Sequence, residues 1–220
     1  MLELNNVTLI AVTSVDVEAT IKALEYSCQG IKFAKVKLVT HERPTNLPEY
    51  IIYEYTNKIS NIDEWNYAMV YDLGDYVDTD FAMLIHADGF VVNPSSWMDD
   101  FLNYDYIGAP FPADNSLLKD INGNQIRVGN SVSIRSKRLL DLPKKLNLEW
   151  KSFNGYYNED GWICINNRHI FLEHGMKFAD VEIAKYFSHE TMVPEIQGII
   201  PFAFHRWYGS NSKYPKFNKF

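Results

Sequence analysis

Apolar residues fill positions 81–85 without alternation (Phe-Ala-Met-Leu-Ile), and the run stops at His86, Ala87, Asp88 and Gly89. An unbroken apolar run suits a strand covered on both faces, as in a parallel α/β sheet. Ligands of such sheets sit beyond the carboxyl ends of the strands, so this run is read as a buried strand delivering His86 and Asp88 to a site. Gly89 would let the chain turn behind them. The alternative is that Asp88-Gly89 is simply a turn.

The same reading predicts a strand over 7–13, a helix from 17 to about 28 capped by Asp16 and ended by Gly30, and a strand over 33–40. Further strands fall at 50–55 and 106–110, with a helix over 62–73 and a short helix over 94–102 between them. Beyond a surface loop at 114–125, a strand over 129–135 runs into a helix over 136–142. Residues 144–157 read as irregular and mobile, and a helix opens at Asn158 and runs to about 174. Alternating β and α in the first half predicts a mostly parallel, Rossmann-like sheet flanked by helices, with a less regular second half, in one unit spanning 1–220.

Composition narrows the function. A hydrophobic fraction of 46% and a charged fraction of 22% describe a globular chain, and 15% aromatic is rich. The net charge of -7 argues against a nucleic-acid partner, which would need clustered Lys and Arg. An acidic protein can still bind phosphate through a metal ion. The first strand–helix turn lacks the Gly-x-Gly-x-x-Gly fingerprint, so a nicotinamide or flavin is not supported, and no Walker loop is present. Cys28 and Cys164 form no Cys-x-x-Cys pattern, which fits a reducing compartment. Without a basic-then-apolar leader or a run of about 18 apolar residues, the chain reads as soluble and cytoplasmic.

Three landmarks stand in order: His86-Ala87-Asp88 after a central strand, Glu159-Asp160 at a helix start, and His205 before Arg206-Trp207. With Gly129-Asn130-Ser131-Val132-Ser133-Ile134-Arg135, they resemble the GT-A class of nucleotide-sugar glycosyltransferases, most of all its short bacterial and viral domains. The resemblance implies a nucleotide-binding half at 1–105, an acceptor and catalytic half at 106–207, and a tail at 208–220. It implies that Asp88 holds Mn²⁺ or Mg²⁺ on the donor diphosphate, with His205 as a further ligand. His86 replaces the first Asp of the Asp-x-Asp motif, a position that touches the ribose or the metal through water, and Ala87 lies between. Asp160, paired with Glu159, matches the base of inverting members. Thr13, Ser14 and Val15 after the first strand, and His41 and Arg43 after the second, stand where the fold grips the nucleotide.

Plainer readings remain beside these. Glu159 and Asp160 occupy a first helical turn, where the dipole favours acids and would lower the pKa of a base. His205 among Phe202, Phe204 and Trp207 could be a core histidine, and His41 and Arg43 ordinary loop residues. Trp97, Trp162 and Trp207 could stack on sugar or base, but aromatics commonly fill cores. His169 and His174 are wrongly spaced for a metal pair on one helical face.

The chemistry is self-consistent. A divalent cation neutralises a diphosphate leaving group, and a carboxylate on the opposite face deprotonates the incoming hydroxyl. The leading expectation is therefore a metal-dependent transfer from a nucleotide sugar to a glycan or lipid-linked acceptor in polysaccharide or glycan synthesis. A hydrolase or nucleotidyltransferase of nucleotide sugars, or a non-catalytic binding module, are the alternatives. Lys213, Lys216 and Lys219 interleaved with Tyr214, Phe217 and Phe220 suggest either weak membrane-surface contact or a frayed terminus.

Overall fold

A computed structural model describes residues 1–150 and 158–217. Strand β1 (Leu2–Val12), helix α1 (Val17–Ser27) and strand β2 (Ile31–Thr40) form the opening βαβ unit, and β3 (Ile51–Tyr55) extends it. Helix α2 (Ile62–Tyr71) and a 3₁₀ turn (Leu73–Tyr76) lead into β4 (Phe81–Leu84). Strands β5 (Tyr106–Pro110) and β6 (Val128–Ser136) follow, then α3 (Lys137–Lys145), α4 (Glu159–Gly161), α5 (Arg168–Glu173) and α6 (Val181–Phe187). A small parallel pair, β7 (Ser188–His189) and β8 (Ala203–Phe204), lies apart from the main sheet.

The main sheet has six strands in the order β3-β2-β1-β4-β6-β5. β1 to β4 run parallel, whereas β6 is antiparallel to both β4 and β5. The mixed α/β, mostly parallel sheet is the one the alternation of elements implies. Alternate residues of the central strands feed two cores, as the twofold strand period demands. Leu9, Ala11, Leu38, Met83 and Ile85 face one core with residues of α1 and α6. Ile10, Val12, Val39, Ala82 and Leu84 face the other with residues of α2 and α3. The order of strand addition reverses between β1 and β4, the chain winding outward to β2 and β3 on one side and returning to β4 on the other, which opens a crevice beyond their carboxyl ends.

Several boundaries depart from the sequence reading. β1 starts at Leu2, with an irregularity between Leu4 and Thr8. Asp16 does not cap α1: its backbone is left-handed (φ 49), whereas a capping side chain needs extended backbone. Its carbonyl accepts from the Thr20 N–H and hydroxyl instead. The helix over 94–102 is two 3₁₀ turns, Pro94–Ser96 and Asp99–Asn103, with Trp97 between them packed edge-on against Phe101 and Phe202.

The helix expected from 158 to 174 is broken into α4, a π turn (Trp162–Asn166) and α5. Asn167 causes the break, since its N–H and its side-chain amide both donate to the Trp162 carbonyl, the latter at 3.1 Å. Of the segment 144–157, α3 claims Lys144 and Lys145, and 151–157 lie outside the described residues. The tail is not frayed as far as 217: Tyr214 stacks near Phe204, and Phe217 packs on Tyr26 and Phe90. Lys219 and Phe220 lie outside the described residues. No helix among the described residues is long and apolar enough to cross a membrane.

Candidate functional site

The crevice beyond β1 and β4 is a cleft of about 520 Å³. The chain after β1 supplies Thr13, Ser14, Val15 and Asp16, and the segment after β4 supplies His86, Ala87 and Asp88. Trp65 and Asn66 of α2, Ser131 of β6, Asn158, Glu159, His205 and Arg206 also line it, together with residues 59–62 at the start of α2. Eight residues singled out in the sequence thus share one cleft: Thr13, Ser14, Val15, His86, Ala87, Asp88, Glu159 and His205. His41 and Arg43 are not in its lining; the Arg43 guanidinium sits 5.9 Å from the Tyr53 ring centre. Asp160 is buried directly behind the wall.

The Asp88-Gly89 stretch is a turn that borders the cleft. The chain makes a tight reversal, with the His86 N–H donating to the Gly89 carbonyl at 2.7 Å, and that reversal presents Asp88 to the cleft. Gly89 is required for close approach. A Cβ there would stand 2.6 Å from Val132 Cγ2 and 2.8 Å from His205 Cδ2. Its absence lets the chain after β8 seat His205 against the turn.

His205 Nε2 lies 3.6 Å from Asp88 Oδ1, and Nδ1 lies 3.1 Å from Glu190 Oε1 without hydrogen-bond alignment. Burial alone would depress the imidazole, but the two carboxylates outweigh it and raise its pKa to about 9. Burial likewise works to raise Asp88, and the His205 contact with the charges of His205 and His86 overrides it, holding the carboxyl well below its usual range. His86 goes the other way: burial first, then the charge of His205, push it down to about 3, so it is neutral at pH 7. Its Nε2 is buried without a hydrogen-bond partner.

Glu159 and Asp160 have different environments. Glu159 Oε1 accepts from Arg135 at 3.0 Å, both side chains being fully buried, and Arg135 also donates to Ser133 and lies over the Tyr106 ring. Asp160 accepts from the N–H of Asn130 at 3.1 Å and of Gly161 at 2.8 Å. Burial, then the Glu159 charge, raise its pKa to about 7 against those hydrogen bonds, with Glu190 adding to the rise. This corrects the expectation that the helix start lowers it: α4 spans only three residues, and desolvation dominates. Sequence reasoning named Arg206 only as a neighbour of His205 and missed Trp65 and Asn66, which the fold brings to the cleft, and Glu190, which stands behind His205 and Arg206.

Among the described residues, no three His, Cys, Asp or Glu side chains are arranged as a metal cage. Asp88 offers a carboxylate oxygen at the cleft wall, and His205 Nε2 beside it fits as a second donor to a hard divalent cation once the cation displaces the proton that Asp88 and Glu190 hold on the ring.

The mixed α/β fold is similar to that of a solved glycosyltransferase. The apo-form glycosyltransferase GlyE of Streptococcus pneumoniae TIGR4 is similar with a TM-score of 0.51 at 11% identity, over 92% of this chain and 56% of that one. The bifunctional IspDF from Campylobacter jejuni gives a TM-score of 0.46 at 14% identity, over 79% and 48% of the two chains. The chain therefore spans about half the length of these solved chains. A search of the curated proteins finds no match. The chain belongs to the family described as "Protein of unknown function (DUF5672)", whose model matches residues 55–205, from the end of β3 to His205.

Proposed function

We propose that the protein is a metal-dependent glycosyltransferase that moves a sugar from a nucleotide donor to a hydroxyl acceptor with inversion. The observation that carries this reading is the meeting of Asp88 and His205, from opposite halves of the chain, in the cleft beyond β1 and β4. Asp88 and His205 would hold Mn²⁺ or Mg²⁺, which when bound supplies Lewis-acid neutralisation of the leaving diphosphate. Thr13, Ser14 and Val15 line the nucleotide side, and neutral His86 offers an unpartnered ring nitrogen within the same wall.

Asp160 is the base. A carboxyl with a pKa of about 7 accepts a proton from the acceptor hydroxyl far better than an ordinary aspartate. Glu159 fixes the start of α4 through Arg135, and so keeps Asp160 in place. The half at 1–105 then serves the donor, and 106–207 the acceptor, a glycan or lipid-linked sugar in polysaccharide or glycan synthesis.

The test is a thermal-shift panel of UDP, GDP, dTDP and CMP with Mn²⁺, Mg²⁺ or EDTA, followed by product analysis with the matching nucleotide sugar. A nucleotide at about 100 times its dissociation constant adds ~2.7 kcal/mol to the native state, a readily measured shift. Metal-dependent stabilisation by one nucleotide and transfer to a sugar acceptor are expected. Stabilisation by none, or release of free sugar phosphate in place of transfer, overturns the assignment.

A further inference from the structure

All 28 acidic residues of the chain lie at positions 3–195, whereas residues 196–220 carry Arg206, Lys213, Lys216 and Lys219 and no acid. Of the net charge of -7, this stretch contributes +4, so the rest of the chain carries -11. The cationic stretch has a fixed place on the fold. Asn211, itself buried, donates through Nδ2 to the His189 carbonyl at 3.0 Å and to the Arg206 carbonyl at 3.2 Å. Trp207 Nε1 donates to the Pro215 carbonyl at 3.0 Å, and the Tyr214 and Phe217 rings pack on Phe204 and Phe90.

Those contacts turn the rings inward and leave the cations outside. Lys213 Nζ lies 5.2 Å from the Tyr214 ring centre and Lys216 Nζ 5.3 Å from that of Trp207. Both lysines are exposed, and among the described residues neither pairs with a carboxylate. Arg206, at the start of the segment, shares Glu190 with His205. Two large apolar side chains are exposed on the same segment and against it: Tyr208 at 62%, and Met192 at 58%, which lies directly on Gly209.

Unpaired cations beside exposed apolar groups, on a body of the opposite charge, complement an anionic bilayer. The headgroups attract the lysines, Tyr208 and Met192 enter the interface, and the acidic remainder is repelled, which sets the facing. The patch is far smaller than the about 20–30 residues a side of an ordinary protein interface. We infer that the face formed by Met192, Tyr208, Lys213 and Lys216 lies on an anionic lipid surface, weakly and reversibly. Arg206 both lines the cleft and opens this segment, so the contact brings that wall of the cleft to the bilayer. Delivery of a lipid-borne acceptor there rests on the transfer reading; the contact itself does not.

Sedimentation of the full chain with vesicles of phosphatidylcholine, alone or mixed with phosphatidylglycerol, needs no nucleotide, metal or sugar, and so reads the contact apart from transfer. Wild type should bind only the mixed vesicles and be released as salt rises. Each cation near such a surface is worth about a fivefold change in partitioning, so Lys213→Gln with Lys216→Gln should weaken binding by about 25-fold. Lys144→Gln with Lys145→Gln, the same change in net charge on α3, should leave it unchanged. Tyr208→Ala should weaken vesicle binding severalfold. All five side chains are exposed, so melting temperatures without vesicles should match wild type. Equal losses in the two double variants would reduce the effect to net charge and overturn the inference, as would a wild type that ignores the mixed vesicles. Binding to dextran sulfate as tight as to the vesicles, with Tyr208→Ala without effect on either, would make the segment a site for a soluble polyanion and overturn the lipid surface.

Discussion

His205 Nε2 stands 3.6 Å from Asp88 Oδ1, and the two residues also meet through the backbone of their neighbours, since the Arg206 N–H donates to the Asp88 carbonyl. The C-terminal segment is therefore part of the cleft. Asp88→Asn removes the charge and keeps the shape. Transfer should fall by about 10²-fold or more, the scale seen when electrostatic stabilisation of a leaving group is lost. The melting temperature without ligand should fall modestly, because the ion pair with His205 is lost while the partial exposure of Asp88 limits the cost. Transfer near the wild-type rate would remove Asp88 from the mechanism.

The contact depends on Gly89. In Gly89→Ala the new methyl meets Val132 and His205 well inside van der Waals distance, and Val132 sits in a packed core. Overpacking of this kind costs about 1–3 kcal/mol, to be read from the urea midpoint. His205 is the less confined neighbour, so it should be displaced from Asp88, and metal-dependent nucleotide stabilisation should weaken more than the fold does. A variant as stable as wild type would show that the strand pair yields easily.

Glu159 and Arg135 form a buried pair whose loss should register as stability first. Glu159→Gln leaves the Arg135 guanidinium with no counter-charge in a fully buried site, at a cost of about 3–5 kcal/mol by chemical denaturation. Replacing both by apolar residues of similar volume should recover much of the loss. A full-strength fold in Glu159→Gln would mean that the pair is not the anchor of α4.

How far the sequence reaches is clear from particular residues. The run at 81–85 and the alternation of strand and helix before it carry local periodicity, so β4, the βαβ opening and the sheet class are legible. The insertion of β6 between β4 and β5 is not, because pairing partners are set by packing far along the chain. Asp16 shows the limit of local rules: an aspartate before a helix suits a cap, and it equally suits the left-handed turn it adopts. Asn167 likewise breaks a helix through a side-chain bond that residue type alone does not announce. At the cleft, the His86-to-Asp88 stretch, Glu159 and His205 with Arg206 are readable as short motifs, while Trp65 and Asn66 in the lining and Glu190 behind His205 are brought there by long-range folding. The direction of the Asp160 shift is also a folded-state property, since burial decides it.

That shift gives the sharpest pH test. Asp160 ionises near 3.8 in the unfolded chain and at about 7 in the folded one, facing Glu159 and Glu190. Between those values the native state binds the proton more tightly than the unfolded state, so this group's contribution to stability falls as pH rises from about 4 to about 7 and is level above. Asp160→Asn lacks that penalty. Its stability relative to wild type should climb across the same window, by at least about 1 kcal/mol at pH 8, in urea titrations at matched ionic strength. Activity runs the other way: a base must be ionised, so transfer by wild type should rise through about pH 7, and Asp160→Asn should lose both that limb and most of the rate. A stability difference that stays flat from pH 4 to 8 would place the carboxyl in an ordinary environment, and an unchanged rate in Asp160→Asn would rule it out as the base.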